Sequence, residues 1–185
     1  MDLSSYQVGP FHDEMFVTAG EPRTHAQAIA RKLAAMSAEE LSECRLTAEA
    51  ALKRLGITFS VYGEDGAQER IMPFDVIPRV IAAEEWNYME TGLIQRIRAL
   101  NMFLEDIYHD KKIIRDNVVP ADVVFSSKGY LKECEGFSPP KKIWCHITGT
   151  DLIRERHGRM LVLEDNLRCP SGVSYVLENR ELMKG

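Results

Sequence analysis

Two acids and an amide in the last third of the chain are spaced as ligands for a hard cation. Asp151-Leu152-Ile153-Arg154-Glu155-Arg156 and Arg159-Met160-Leu161-Val162-Leu163-Glu164 read as two strands about a two-residue His157-Gly158 turn. Counting outward from that turn, Arg156 faces Arg159, Glu155 faces Met160, Ile153 faces Val162 and Asp151 faces Glu164. The side-chain period of two puts Asn166 on the face of Glu164 and turns Asp165 away with Leu163 and Leu161. Directly opposed Cβ atoms lie ~5 Å apart, where two carboxylates repel by about 3 kcal/mol at an effective dielectric of ~20. A divalent cation reverses that sign. Two carboxylates and an amide oxygen, with waters and phosphates completing the shell, suit magnesium. The competing reading is that the register is off by one, or that these acids sit at a solvated strand end.

The surrounding cations extend the idea. Residues 151–185 hold Arg154, Arg156, Arg159, Arg168, Arg180 and Lys184 against six acids, so this piece is neutral while the rest of the chain carries the whole net charge of -5. A guanidinium can grip phosphate oxygens bidentately, which makes Arg168, two residues beyond Asn166, the candidate catalytic cation. Arg168 and Arg154 are the candidate nucleotide contacts, with surface ion pairs as the competing reading. Candidate substrate contacts are Arg70, Asp75 and Arg79 around the proline-bracketed loop 73–79, and Gln95 and Arg98 on a long helix. For each of these five, a structural ion pair or a solvated position is the commoner role.

These residues need elements to position them. Helical signals begin at His25. A capping box at Ser37-Ala38-Glu39-Glu40 starts a helix carrying Leu41, Ala48, Leu52 and Leu55, and Gly56 stops it. Residues 57–62 and a run ending in Ile71-Met72 form a hairpin about Gly63-Glu64-Asp65-Gly66. Trp86, Met89, Leu93, Ile97, Leu100, Leu104 and Ile107 mark the core stripe of a helix from about Ala82 to Tyr108. Residues 118–142, rich in Gly and Pro, read as loop with at most one short strand at Asp122–Phe125, and residues 143–148 read as a strand. Together this is an α/β chain of the α+β kind, with mainly antiparallel strands and two long helices.

Composition removes other classes. With 185 residues, 45% hydrophobic and 28% charged, the chain can bury a core, and an excess of acids leaves no basic field for nucleic acid. No apolar run approaches the ~20 residues of a membrane span, and the start has neither a basic n-region nor an apolar h-region, so the chain reads as cytoplasmic. Cys44, Cys134, Cys145 and Cys169 are scattered and read as reduced structural thiols. Neither a G-x-x-x-x-G-K-[ST] loop nor a G-x-G-x-x-G turn occurs, which argues against P-loop and Rossmann chemistry.

The string Leu163-Glu164-Asp165-Asn166-Leu167-Arg168-Cys169-Pro170-Ser171-Gly172-Val173-Ser174-Tyr175-Val176-Leu177-Glu178-Asn179-Arg180 resembles the signature of the circularly permuted ATP-grasp proteins, relatives of glutathionylspermidine synthase. His12-Asp13-Glu14-Met15, Gly56-Ile57-Thr58-Phe59, Glu69 to Asp75, Gln95-Arg96 to Leu104, and Gly149-Thr150-Asp151-Leu152 resemble the same family in order, so the likeness spans nearly the whole chain. It implies ATP- and magnesium-dependent ligation of a carboxylate to an amine through an acylphosphate. In that family an acid followed by a Glu-x-Asn pair binds the magnesium ions, and the matching positions are Asp151, Glu164 and Asn166. The hairpin argument reaches the same three. His12 stands where the family has an aromatic Tyr, and Cys169 where Val or Thr is usual.

Members of the family are well over twice as long, and the lysines and hinge backbone that hold ATP come largely from the part that follows. The resemblance therefore implies an incomplete ATP-grasp domain, the N-terminal portion: an extended arm at 1–24, a helix-hairpin-helix and loop region at 25–142, and the metal and phosphate hairpin with a following loop at 143–185. Expected partners are a nucleotide, small carboxylate and amine substrates, and a C-terminal lobe or a partner chain supplying one, with no nucleic acid and no membrane. The second function class is a non-catalytic binding or assembly module built on the same fold.

Overall fold

A computed structural model describes residues 2–63 and 66–184, without the side chains of 60–69; the turn residues Glu64 and Asp65 lie outside the described residues. The chain forms two compact units, the first of residues 1–83, 152–163 and 171–185, the second of residues 84–151 and 164–170. Helices alternate with two-stranded antiparallel ribbons, the α+β mixture the periodicities predict. Among the described residues no helix is long and apolar enough to cross a membrane.

In the first unit, the expected extended arm is folded instead. β1 (Phe16–Thr18) pairs with β2 (Glu21–Pro22) through Gly20, whose φ of 74° suits a residue without Cβ. Asp13 organises this ribbon. Its Oδ1 accepts the N–H groups of Met15 (2.8 Å) and Phe16 (2.7 Å), and its Oδ2 accepts the Tyr6 hydroxyl at 2.6 Å. Burial alone would raise the Asp13 pKa, but these bonds and the nearby Arg23 outweigh it and hold the carboxyl below its ordinary value.

α1 (Gln27–Ala35) buries Ala30 and Leu33. α2 (Ala38–Leu55) opens on the predicted capping box: Ser37 N–H donates to Glu40 Oε2 at 2.7 Å, and Glu40 N–H donates to Ser37 Oγ at 3.1 Å. Gly56, at φ 70°, ends it. Leu52 is fully buried on this helix, whereas Leu55 is exposed. β3 (Thr58–Gly63) and β4 (Gly66–Ile71) form the predicted hairpin, with Phe59 opposite Arg70. α6 (Gly172–Leu182) occupies the stretch expected as a loop. The eleven residues contain no proline, and Ser174 Oγ donates to the Ser171 carbonyl at 2.7 Å in the first turn.

The second unit is built on α3 (Ala83–Tyr108), which buries Met89, Ile107 and Tyr108; Trp86, expected in the core stripe, is 52% exposed. Ile107 and Tyr108 pack with Val124, and Phe103, Leu104, Ile113 and Trp144 surround them. Tyr108 stacks between Tyr130 (centroids 5.1 Å) and Trp144 (4.9 Å). Glu135 accepts the Tyr130 hydroxyl, which pushes that phenol up to about 12.

Two expectations fail in this unit. α4 (Lys112–Arg115) is followed by α5 (Ala121–Phe125), a helix in place of the short strand expected at Asp122–Phe125. Pro120, at φ -60°, presets the entry, and one helical turn carries Val124 into the core. Residues 143–148 form no strand because the side chain of Asn101 takes the N–H groups a ladder would use: Oδ1 accepts Trp144 N–H at 2.7 Å and Cys145 N–H at 3.1 Å.

Candidate functional site

β5 (Gly149–Arg154) and β6 (Met160–Asn166) pair as a hairpin. Its tip, in the first unit, corrects the two-residue turn. Glu155 N–H donates to Arg159 O and Gly158 N–H to Glu155 O, both at 2.9 Å, so the loop is Arg156-His157-Gly158. This is the three-residue hairpin loop that needs a positive φ at its last residue, and Gly158 has 91°. Arg159 Nε donates to Glu155 Oε1 at 3.2 Å and holds that carboxyl below its ordinary value.

The root of the hairpin, in the second unit, decides the face. Counting inward from the tip would set Asp151 against Leu163, but the contacts at the root have the other parity. Thr150 Oγ1 donates to Asp165 Oδ1 at 3.0 Å, and a Cβ on Gly149 would stand 3.7 Å from that of Asn166. Side chains that touch directly across a ribbon share a face. Thr150 and Asp165 therefore occupy one face, and Asp151, Glu164 and Asn166 the other, where all three are exposed.

On that outer face Asn166 Nδ2 donates to Glu164 Oε1 at 3.1 Å. Among the described residues no hydrogen bond joins Asp151 to this pair, and no group of three or more His, Cys, Asp or Glu side chains is gathered. On the inner face Asp165, its side chain 8% exposed, also accepts from Arg96 Nε of α3 at 2.7 Å. Arg96 and Thr150 are supporting residues absent from the sequence-based candidates. The signal for them was present, because an acid turned inward between two outward polar residues requires a donor opposite it.

The remaining candidates fall in two places. In the first unit, Arg154 Nε donates to Glu14 Oε1 and Arg154 Nη1 to the Gly158 carbonyl, each at 2.7 Å, with the Arg154 side chain 9% exposed. That guanidinium braces the tip, a structural place beside the phosphate role expected of it. Arg70 is exposed on β4, while Asp75 and Arg79 line one small cleft with Glu14. In the second unit, Gln95 and Arg98 are exposed on α3, and Arg168 is exposed in the bend after β6.

On this hairpin an exposed carboxylate, Glu164, and an exposed amide, Asn166, flank the inward acid Asp165. Residues 78–185, more than half of the chain, match the family described as circularly permuted ATP-grasp type 2. An uncharacterized protein of Synechocystis is 53% identical over 184 residues, covering 100% of this chain and 38% of the relative. One from Mycobacterium leprae is 45% identical over 168 residues, covering 91% and 29%. A Frankia casuarinae protein provisionally named glutamate–cysteine ligase 2-2 is 40% identical over 171 residues, covering 92% and 20%. The chain belongs to the circularly permuted ATP-grasp type 2 family. It spans 38% or less of the length of these curated relatives.

Proposed function

We propose that this chain supplies the magnesium and phosphate face of an ATP-dependent carboxylate–amine ligase. The observation that carries the reading is that Glu164 and Asn166 share one exposed strand face in direct contact, Asn166 Nδ2 donating to Glu164 Oε1 at 3.1 Å. Neighbouring oxygens in an octahedral magnesium shell with ~2.1 Å bonds lie about 3 Å apart, so two side chains in hydrogen-bond contact are close enough to share one ion once the amide is turned. The donor chemistry fits as well, since all the ligating atoms would be oxygens once the amide turns its carbonyl toward the ion. Magnesium, when bound, neutralises phosphate charge and polarises the phosphoryl group for transfer.

Within this reading Glu164, Asn166 and Asp151 hold the ion, and Asp165, clamped by Arg96 and Thr150, fixes the strand they stand on. Arg168 grips a phosphate oxygen. The adenine pocket and the lysines that close on ATP belong to a C-terminal lobe or a partner chain, in keeping with the longer relatives. ATP transfers its γ-phosphoryl group to a substrate carboxylate, giving ADP and an acylphosphate, and attack by an amine then releases inorganic phosphate and leaves the amide.

The name of the Frankia relative makes glutamate and cysteine the first substrates to try. The full-length protein, given ATP, magnesium and an 18O-labelled carboxylate with an amine, is expected to transfer one labelled oxygen to phosphate per amide formed. ADP formation without label transfer would overturn the acylphosphate reading.

A further inference from the structure

We propose that the cleft beside the proline-bracketed loop of the first unit binds the ammonium and carboxylate groups of a small α-amino acid. The cleft has a volume of about 120 Å³ and is lined by Glu14, Asp75 and Arg79 over apolar side chains that include Met15, Ile29 and Val80. The cleft lies well below the ~300 Å³ at which drug-sized pockets begin, so it suits a small molecule such as glycine or alanine.

The charges select the ligand. Glu14 is already joined to Arg154. Asp75 Oδ1 accepts Ile77 N–H at 2.9 Å, which ties the carboxylate to its own loop, and Pro78 stiffens the next step of the chain. Among the described residues neither Asp75 nor Arg79 has an ion-pair partner, although both line the same small cleft. A free carboxylate would meet Arg79 but also two acids, and a free ammonium would meet Asp75 but also Arg79. A zwitterion satisfies both signs at once, ammonium to Asp75 and carboxylate to Arg79, with its α-carbon over the apolar floor. Binding requires no nucleotide. That the bound amino acid is the amine partner of the ligation rests on the function proposed above.

The test is calorimetric titration of the full-length protein with glycine and with L-alanine, without ATP or magnesium. Saturable binding is expected, weakened about tenfold or more by Asp75→Asn and by Arg79→Gln, each of which removes a charge-assisted bond. Both positions are exposed, and an unchanged melting temperature shows that each variant is folded. Acetate and methylammonium are expected to bind at least about tenfold more weakly than alanine, because each meets only one of the two groups. Absence of saturable binding by either amino acid, equal affinity in both variants, or acetate binding as tightly as alanine overturns the proposal. Glu164→Gln separates the two readings: alanine binding that persists in a protein unable to consume ATP supports the cleft whatever becomes of the ligase.

Discussion

Arg96 Nε lies 2.7 Å from Asp165 Oδ2, which ties the long helix of the second unit to the strand that carries Glu164 and Asn166. Asp165 stands between those two residues, so fixing it fixes the direction in which its neighbours point. The acid is nearly buried while the guanidinium is half exposed, and removing the cation would leave a shielded carboxylate with Thr150 alone. Arg96→Ala is expected to cost about 1–3 kcal/mol in urea unfolding, with partial recovery in Arg96→Lys. Unchanged stability in the alanine variant would mean that the clamp does not hold the strand.

Gly158 should not tolerate a side chain. Its φ of 91° disfavours any other residue, and an added Cβ would lie 2.6 Å from His12 Nδ1. Gly158→Ala is expected to destabilise the protein by about 1–3 kcal/mol, combining backbone strain with the clash. Adding His12→Ala should relieve the clash and leave the strain, so the double variant is expected to lose less stability than the two single losses added together, and full additivity would show that the clash contributes nothing.

Glu105 gives the second unit an acid-sensitive contact. Burial raises its pKa, but bonds from Trp144 Nε1 (3.0 Å), Ser138 Oγ (2.9 Å) and Lys142 outweigh it and hold the carboxyl below the ordinary 4.5. A depressed carboxylate contributes stability above its unfolded value, and that contribution is lost as pH falls through the folded one. Glu105→Gln is therefore expected to melt below wild type at neutral pH, with the gap closing below pH 4.5. A gap that stays constant on acidification would show that the ionised form of Glu105 contributes nothing.

Much of the fold was legible because local signals and tertiary packing agree. Ser37 and Glu40 close the predicted box, Gly56 ends the helix, and the three-and-four spacing from Met89 to Ile107 marks α3. Failures occur where a distant partner decides. Asn101 takes the N–H groups of Trp144 and Cys145 from 43 and 44 residues away, which no window around 143–148 reveals. Asp13 folds the arm through bonds to Tyr6, Met15 and Phe16 that leave no periodicity to read. At the hairpin, the loop is one residue longer than His157-Gly158 suggested, and the face of Asp151 is set at the root by Thr150 and Asp165. The alternation Glu164-Asp165-Asn166 was enough to separate the two outward side chains from the inward acid, but the cation facing that acid comes from a helix 69 residues earlier.

Single-turnover ADP formation from ATP and magnesium in the full-length protein tests the metal-ligand reading most directly. Glu164→Gln and Asn166→Ala are each expected to slow it about a hundredfold or more, at least the cost of losing a supporting partner at a metal site. Both residues are exposed, so the variants should melt within about 0.5 kcal/mol of wild type. Undiminished turnover in Glu164→Gln would contradict the assignment of this face to magnesium and phosphate.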